Sequence, residues 1–595
     1  MSAPRSLAPM MRVRNLHKTF RRDDGEITRA LDDVSFDVER GSLAALVGPD
    51  GAGKTTLMRL AVGLMVADAG ELEVLGVDAA AEAQQIQARI GYMPQRFGLY
   101  EDLSVQENLD LYADLHGVGI DERQSRYPRL LQMTALAPFT KRLAGKLSGG
   151  MKQKLGLACT LIRAPELLFL DEPTVGVDPL SRRELWQIIL QLVDAEGLTV
   201  VLSTSYLDEA ERCGHVVVLH EGRVLAQGNP VEINRRAEGR VFLIDPSAAR
   251  SAGALQTARA LQTRLLDETD VVDAVPEGGR VRLVSGGGTH LPALAGLAPE
   301  RTPPRFEDAF MMLLRQISPP RAAVAMTLAQ TPQPLAGEMI VEVRELARGF
   351  GAFMAVDRVS FEVRRGEIFG LLGPNGAGKT TTFRMLCGLL PASQGTLRVA
   401  GIDLRHARAA ARAKLGYVAQ KFSLYRDLSV LENLEFFASA YGLRGERRRI
   451  RIDWALQQFE LAPLARLPSG NLPGGYKQRL AMAAALLHEP EMLFLDEPTS
   501  GADPLARREF WRRISLLADQ GVTVIVTTHF MEEAEYCDRV AILDQGRVLA
   551  QGTPAEVRAR ARVEQSRPTR MEDAFIAIVE EARGREDRST IEAAA

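Results

Sequence analysis

The stretch "GPDGAGKTTLMRL" at residues 48–60 returns almost unchanged as "GPNGAGKTTTFRM" at residues 373–385. Each copy follows a short apolar run, precedes a helical pattern and fits the form G-x-x-x-x-G-K-T of phosphate-binding loops. Glycines at these positions let consecutive backbone N–H groups curve around phosphate oxygens at a helix N-terminus. The pair of stretches therefore predicts two phosphate-binding α/β domains.

A second repeat shows that far more than the loop is duplicated. "LLFLDEPTVGVDPLSRREL" (167–185) returns as "MLFLDEPTSGADPLARREF" (492–510). Lys54 and Lys379 lie 325 residues apart, and Asp171 and Asp496 have the same separation. A period of this length indicates a duplicated domain, because solenoid repeats are far shorter.

Composition places the chain among ordinary globular proteins and excludes some classes of function. It has 595 residues, 46% of them hydrophobic and 25% charged, with a formal net charge of −3. This balance gives no basis for nucleic-acid binding. No stretch offers the roughly 18 uncharged apolar residues of a membrane span, so we expect a cytosolic chain. The cysteines at 159, 213, 387 and 537 are widely spaced, which favours buried, reduced thiols.

Local composition predicts the domain boundaries. Residues 318–338 are rich in Pro and Ala, as is typical of an extended linker. The first copy also carries a segment that the second lacks, with the strand-like stretches "GRVFLIDP" and "DVVDAVPEGGRVRLV" around a helical pattern. It reads as a small α+β appendage whose role stays open between ligand sensor, reporter of domain separation, and spacer or packing module. The predicted division is a nucleotide-binding domain at 1–235, the appendage at 236–317, the linker at 318–338, a second nucleotide-binding domain at 339–560, and a tail at 561–595.

Secondary structure follows from the apolar pattern. Continuous apolar runs such as "LAALVG", "LLFLDE" and "VTVIVTTH" imply strands buried on both faces of a mostly parallel sheet. "SVQENLDLY" and "SVLENLEFF" each begin with a capping box, formed by Ser104 with Glu107 and by Ser429 with Glu432.

The residue types in the repeats indicate phosphate chemistry. Lys54 and Lys379 would reach the β- and γ-phosphates, while Thr55 and Thr380 would ligate Mg²⁺. The second repeat ends an apolar strand in Asp-Glu. Its aspartates, 171 and 496, would hold magnesium, and its glutamates, 172 and 497, would polarise the attacking water.

These motifs resemble those of the ATP-binding-cassette ATPases over nearly the whole chain. "LSGGMKQKL" (147–155) is similar to the family signature, and Asp178 and Asp503 match the D-loop. The resemblance implies two tandem P-loop NTPase domains, each with a mainly parallel core sheet, an antiparallel β-subdomain and a helical subdomain, besides the small α+β appendage. It also implies ATP and Mg²⁺ as cofactors.

Carried over motif by motif, the resemblance implies three groups of site residues. Catalytic roles fall to Glu497, His529 (the switch histidine) and Glu172. Nucleotide contacts are expected from Phe20, Gly48, Asp50, Gly51, Gly53, Lys54, Thr55, Thr56, Gln95, Ser148, Gly149, Gly150, Asp171, Phe350, Gly373, Asn375, Gly376, Gly378, Lys379, Thr380, Thr381, Gln420, Gly474, Gly475 and Asp496. Metal ligation is expected from Thr55, Gln95, Asp171, Thr380, Gln420 and Asp496. Phe20 and Phe350 are placed like the aromatic residue that stacks on adenine, with a core position as the alternative.

The two copies are not equivalent. In this family each ATP lies between one cassette's P-loop and the other cassette's signature, so "LPGGY" should face the nucleotide held by Lys54. There Pro473 replaces a serine and supplies neither a hydroxyl nor a backbone N–H. Ser205 replaces the switch histidine of the same pocket. We therefore predict one degenerate site and one hydrolytic site formed by Lys379, Asp496, Glu497 and His529 with Ser148; the alternative is that the glycine amides of "LPGGY" suffice.

The exporter-like stretch "LYEDLSVQENL", the "EDAF" ends and the tandem layout look closest to DrrA-like drug exporters, and in particular to tandem ATPases of the YbhF type. The resemblance implies separate integral-membrane permease subunits, two of them, and one copy of this chain at the inner face of the membrane. Coupling to them is expected in 96–146 and 421–471. A soluble translation factor acting on ribosomes, or the tandem ATPase of a sugar importer, remains the alternative.

Overall fold

The structure is a computed structural model that describes residues 8–21, 27–248, 257–287, 297–317, 338–420, 423–500, 502–561 and 570–594. Apart from Glu338, the predicted linker lies outside these residues. The described residues form two compact units. The first comprises Met1–Val241, Thr302–Pro319 and Gly501–Leu505, and the second comprises Phe242–Arg301, Pro320–Ser500 and Ala506–Ala595. Strands and helices are numbered below in chain order.

A mainly parallel sheet forms the centre of the first unit, with strand order β10-β9-β3-β8-β7-β6. Only β10 runs antiparallel to its neighbour among these strands. Every residue of β3, β7 and β8 is buried, as expected for strands covered on both faces. The strands are β3 (Leu43–Val47), β6 (Ile90–Met93), β7 (Leu167–Asp171), β8 (Thr199–Thr204), β9 (His215–His220) and β10 (Arg223–Gly228).

A second, antiparallel sheet of the first unit has the order β2-β1-β4-β5. Its apolar side chains, among them Val13 and Phe36, share one core with Leu57 and Met58 of α1 and with Phe169 of β7. The helix that follows the phosphate-binding loop is thus held between the two sheets. The strands are β1 (Met11–Arg21), β2 (Ile27–Val38), β4 (Ala69–Val74) and β5 (Val77–Asp78).

Helices complete the first unit. Both hydrogen bonds of the predicted capping box at Ser104 are formed: the Ser104 hydroxyl accepts from the Glu107 N–H at 3.2 Å, and the Ser104 N–H donates to Glu107 Oε2 at 2.7 Å. The helices are α1 (Lys54–Ala61), α2 (Ala83–Gln87), α3 (Val105–Leu115), α4 (Ile120–Met133), α5 (Gly149–Leu161), α6 (Pro179–Asp194), α7 (Leu207–Ala210), α8 (Pro230–Asn234) and α10 (Phe306–Ile317).

The second unit repeats both sheets, in the orders β16-β15-β18-β19 and β20-β21-β22-β17-β23-β24. Its strands are β15 (Met339–Phe350), β16 (Phe353–Arg364), β17 (Ile368–Leu372), β18 (Gln394–Val399), β19 (Ile402–Asp403), β20 (Leu415–Val418), β21 (Met492–Asp496), β22 (Thr523–Thr528), β23 (Arg539–Asp544) and β24 (Arg547–Gly552). Its helices are α11 (Lys379–Leu386), α12 (Arg408–Arg412), α13 (Val430–Ala440), α14 (Gly445–Gln458), α15 (Gly474–Leu486), α16 (Pro504–Asp519), α17 (Met531–Ala534), α18 (Pro554–Arg560) and α19 (Met571–Ala594). The α/β class predicted from the sequence is confirmed.

The appendage forms a sheet of its own with the order β12-β13-β11-β14. Helix α9 covers it, and Leu261 and Leu265 of that helix pack with Phe242 and Leu283 in a separate small core. Apart from Val241, its first strand residue, the appendage belongs to the second compact unit. The elements are β11 (Val241–Ile244), α9 (Ala258–Leu265), β12 (Val271–Glu277), β13 (Arg280–Ser285) and β14 (Glu300–Arg301).

No helix within the described ranges has both the length and the apolar character that crossing a bilayer requires.

Candidate nucleotide-binding sites

The phosphate-binding loop of the first unit lies between the end of β3 and the start of α1. Gly53 has φ +103°, and a Cβ there would lie 2.5 Å from the Ala30 carbonyl oxygen, so only glycine fits. Lys54 is buried, and its Nζ donates to the carbonyl oxygens of Gly48 at 2.7 Å and Pro49 at 3.1 Å. The lysine thus holds its ammonium inside the curve of the loop, where phosphate oxygens would bind.

The second unit builds the same loop between β17 and α11. Gly378 has φ +94°, and its Cβ position lies 2.5 Å from the Ala355 carbonyl oxygen. Lys379 Nζ donates to Gly373 O at 2.7 Å and to Pro374 O at 2.9 Å. Each predicted lysine therefore lies against the glycine loop of its own unit. The remaining predicted loop residues lie in the same turns or in the first turn of α1 and α11, namely Asp50, Gly51, Thr56, Asn375, Gly376 and Thr381.

Each predicted magnesium aspartate ends a buried strand beside the loop. In the first unit, the Ser203 hydroxyl donates to Asp171 Oδ1 at 2.6 Å, and the Thr55 hydroxyl donates to the same oxygen at 3.2 Å. The other carboxylate oxygen of Asp171 is buried and has no hydrogen-bond partner. In the second unit the Thr527 hydroxyl donates to Asp496 Oδ1 at 2.5 Å. Burial raises the pKa of Asp496, and the Thr527 hydroxyl opposes that rise.

This chemistry fits Mg²⁺. A threonine hydroxyl and a carboxylate oxygen are the hard ligands that the ion takes when phosphates and water complete its shell. The orphaned Oδ2 of Asp171 is the kind of buried acceptor that a cation would satisfy. No group of three or more His, Cys, Asp or Glu side chains able to hold a metal occurs in the described part of the chain.

The predicted catalytic glutamates both adopt a left-handed backbone conformation, with φ +50° at Glu172 and +48° at Glu497. Such a conformation is uncommon for residues other than glycine and persists where the surroundings enforce it. Here the neighbouring strand enforces it. The Glu172 N–H donates to Ser203 O at 3.1 Å and to Ser203 Oγ at 3.0 Å, and the Glu497 N–H donates to Thr527 O and Oγ1, both at 3.0 Å.

The side chains around the two glutamates differ. Gln95 donates to Glu172 at 2.6 Å, and Gln420 donates to Glu497 at 2.7 Å. Glu172 also lies 3.5 Å from Lys54 Nζ, whereas Glu497 lies 3.2 Å from Nδ1 of the buried His529. Burial opposes ionisation of Glu497, but His529, Lys379 and Gln420 outweigh it, so the pKa of Glu497 is lowered.

Ser205 occupies the corresponding position in the first unit. It follows β8 directly and is buried, with 3% of its surface exposed. A hydroxyl cannot take up or release a proton near neutral pH as an imidazole can. The surroundings of the two predicted catalytic glutamates therefore differ in their titratable groups.

The two signature segments begin helices α5 and α15. Ser148 is the N-cap of α5, and its hydroxyl accepts from the Met151 N–H at 3.3 Å. Pro473 is the N-cap of α15 and makes no side-chain cap. Gly149 and Gly150 form the first turn of α5, and Gly474 and Gly475 form the first turn of α15. A Cβ on Gly150 would lie 2.2 Å from Ser181 Cβ, which is too close for any side chain. A Cβ on Gly475 would lie 3.8 Å from Ala506 Cβ, an ordinary van der Waals distance.

The predicted adenine-stacking residues lie at the ends of β1 and β15. Phe20 is 40% exposed and Phe350 is 48% exposed, which does not favour the alternative of core positions. Arg348 lies over the Phe350 ring at 4.8 Å, and Lys18 lies near the Phe20 ring at 5.8 Å. Both rings keep surface available for stacking.

Sequence reasoning missed two groups that shape the site. Ser203 and Thr527 fix both acidic residues of their motif, and the matching "STS" and "TTH" after an apolar strand could have revealed them. Asn108 and Asn433 are fully buried. The Asn108 amide donates to the carbonyls of Tyr100, Leu103 and Ser104, and it accepts from the Tyr100 N–H. These bonds hold the segment after Gln95 against helix α3, and the repeated "ENL" in the sequence could have pointed to this asparagine.

Comparison with known proteins agrees with this geometry. The profile of the ABC transporter family matches residues 31–175 and 356–500. The chain belongs to this family, and it is an ATPase with two tandem cassettes. It is 50% identical over 552 residues to the "Probable multidrug ABC transporter ATP-binding protein YbhF" of Escherichia coli K12, covering 91% of this chain and 93% of that protein. The predicted YbhF-type relationship is confirmed.

Other relatives match less of the chain. The "Nod factor export ATP-binding protein I" of Ralstonia nicotianae is 43% identical over 234 residues, which cover 39% of this chain and 73% of that protein. A solved "Structure of ATP binding subunit of ABC transporter" is 30% identical and covers 40% of this chain and 99% of its own, with a TM-score of 0.37. ATP-binding subunits of this family work with membrane permease components.

Proposed function

We propose that this chain powers the export of drugs or other toxic compounds through two integral-membrane permease subunits, which it contacts from the inner face of the membrane. The observation that carries the proposal is the 50% identity over almost the full length to the multidrug protein YbhF, together with two complete P-loop and Asp-Glu motifs. The predicted boundaries, with nucleotide-binding domains at 1–235 and 339–560, belong to this proposal.

The proposed sites are unequal. Hydrolysis takes place at Lys379, Asp496, Glu497 and His529, completed by the signature serine Ser148. The pocket of Lys54, Asp171 and Glu172 carries Ser205 and faces Pro473, and it binds ATP without efficient turnover. Support comes from His529, whose Nδ1 lies 3.2 Å from Glu497, and from Ser205, which stands at the corresponding position of the first unit.

In the hydrolytic site, the chain's own groups position the attack. Lys379 neutralises phosphate charge, and the glycine loop donates backbone N–H groups to the β- and γ-phosphates. Bound Mg²⁺, held by Thr380 and Asp496 with Gln420 nearby, would offset the charge that develops between the phosphates. Glu497 is ionised because its pKa is lowered, so it can accept a hydrogen bond from the attacking water. Gln420 donates to its carboxylate at 2.7 Å, and Nδ1 of His529 lies 3.2 Å from it.

The experiment expresses the chain with hydrophobic permeases encoded next to it and measures efflux of a fluorescent cationic drug from cells. We expect efflux with the wild-type chain and none with Lys379→Ala. Accumulation of the chain on ribosomes would overturn the proposal in favour of a translation factor. Loss of sugar uptake in Lys379→Ala without any change in efflux would overturn it in favour of an importer.

A further inference from the structure

The appendage, defined here as the described part of Phe242–Arg301, is bound to the second unit by charged side chains. Arg259 of α9 donates to Asp538 at 2.6 Å and lies 3.4 Å from Asp519. Only 15% of the Arg259 side chain is exposed. An ion pair this enclosed fixes geometry better than a solvated surface pair, because water does not compete freely for it.

Two further contacts come from the sheet of the appendage. Asp273 of β12 accepts from Arg508 of α16 at 3.2 Å, and the same arginine donates to the Tyr536 hydroxyl at 2.9 Å. At the β12–β13 turn, the Gly278 N–H donates to Glu535 Oε2 at 2.6 Å. Gly278 has φ +62°, which suits the turn to glycine.

These contacts converge on the segment Glu535–Asp538, which joins α17 to β23. Helix α17 begins two residues after His529, and His529 contacts Glu497. Asp538 Oδ2 also accepts from the N–H of Ile368 at 2.9 Å. Ile368 is the first residue of β17, the strand that leads into the phosphate-binding loop of Lys379. The appendage therefore touches the supports of both the switch histidine and the loop.

The first unit provides an internal comparison. Gly214 stands where the second unit has Asp538, and Gln187 stands where it has Arg512, which pairs with Asp267 of the appendage. Glu211, the counterpart of Glu535, accepts from the N–H of Phe306 in its own unit at 2.8 Å. Asp538 and Arg512 are thus particular to the second cassette, whereas Arg508 and Glu535 have charged counterparts in Arg183 and Glu211.

We propose that the appendage is a positioning element for the second nucleotide site, which holds the segment Glu535–Asp538 and through it His529 and the loop of Lys379. It rests on the proposed function in one respect, that the second site hydrolyses ATP. Arg508 and Asp273 are positioning residues in this scheme, since they would act through the segment Glu535–Asp538.

The test uses the full chain carrying Glu172→Gln, so that turnover reports on Glu497. We expect Asp273→Arg and Arg508→Asp each to lower kcat about tenfold with KM changed less than about twofold, because the site is misplaced but still binds. The double variant restores the pair in reverse, and we expect kcat within about threefold of its parent. Arg264→Asp, an exposed change on α9, is the control and should leave kcat unchanged.

Three outcomes would overturn the proposal. The first is an unchanged kcat in the single variants. The second is a loss of kcat that is accompanied by a lower melting temperature and is not rescued in the double variant, and the third is the same loss of kcat after Arg264→Asp. If Asp273→Arg prevents folding, Asp538→Asn replaces it, because asparagine can still accept from Ile368 while losing the charge that faces Arg259. If the Glu172→Gln parent is itself inactive, the assignment of hydrolysis to Glu497 fails, and the rescue is then measured in the wild-type chain.

Discussion

At the scale of single residues, the two predicted catalytic glutamates share their backbone conformation but differ in the side chains around them. Glu172 and Glu497 share a left-handed φ and the same two bonds from a neighbouring strand. Glu172 lies 3.5 Å from Lys54 Nζ, and Glu497 lies 3.2 Å from Nδ1 of His529, the position that Ser205 occupies in the first unit. The two copies thus share the backbone geometry of the glutamate, while an imidazole lies beside Glu497 and Ser205 stands at its position in the first unit.

Asp50 gives a prediction of pH dependence. Its side chain keeps contact with solvent, but desolvation by the surrounding protein raises its pKa to about 6, against the opposing effect of Lys54. The carboxyl is therefore neutral below about pH 6 and negative above it. As the pH rises from 5 to 7, we expect ATP affinity at the Lys54 site to fall about fivefold, since a negative charge near phosphate costs about 1 kcal/mol at the surface.

Nucleotide titration of the Lys379→Ala chain, which leaves the first site, measures this effect. Asp50→Asn should abolish the pH dependence. Asn375→Asp, studied in the Lys54→Ala chain, should create it at the second site. Equal pH dependence in Asp50→Asn and its parent would contradict the role given to this carboxyl.

At the scale of elements, the helix starts carry measurable stability. Ser429 caps α13 and forms a complete capping box with Glu432, with bonds of 2.8 and 3.2 Å between backbone and side chain. We expect Ser429→Ala to lower the free energy of unfolding by about 1 kcal/mol. Urea denaturation checks this. Ser439→Ala in the exposed end of the same helix is the control, and a loss there as large as at Ser429 would refute the capping argument.

The signature helices give a second prediction at this scale. Helix α5 begins with a hydroxyl cap and α15 with Pro473, which offers neither a hydroxyl nor an N–H. In the Glu497→Gln chain, we expect Pro473→Ser combined with Ser205→His to raise residual turnover about tenfold, because both donors would return to the Glu172 site if the cassettes pair as proposed. Steady-state ATPase assays measure it. A double variant no faster than Pro473→Ala with Ser205→Ala would show that the proposal misplaces the defect.

At the scale of the whole molecule, the sequence patterns predicted the features that occur twice in the chain and missed the contacts between residues that lie far apart in the sequence. The two phosphate-binding loops, the buried strands and the capping boxes are local patterns that appear twice, so they could be predicted. Ser203 and Asn108 act through bonds that become visible only when a strand or a loop lies beside them. The binding of the appendage to the second unit rests on pairs such as Arg259 with Asp538, 279 residues apart, which no local pattern encodes.

Steady-state ATPase activity of wild type, Glu172→Gln and Glu497→Gln tests most directly whether the chain has one hydrolytic site, as we propose. Glutamine keeps the size of the side chain and removes its charge, so both variants should fold and bind ATP. We expect turnover to fall at least about a hundredfold in Glu497→Gln and to stay mostly intact in Glu172→Gln. Loss of about half the rate in each variant, or loss in Glu172→Gln alone, would contradict the proposal.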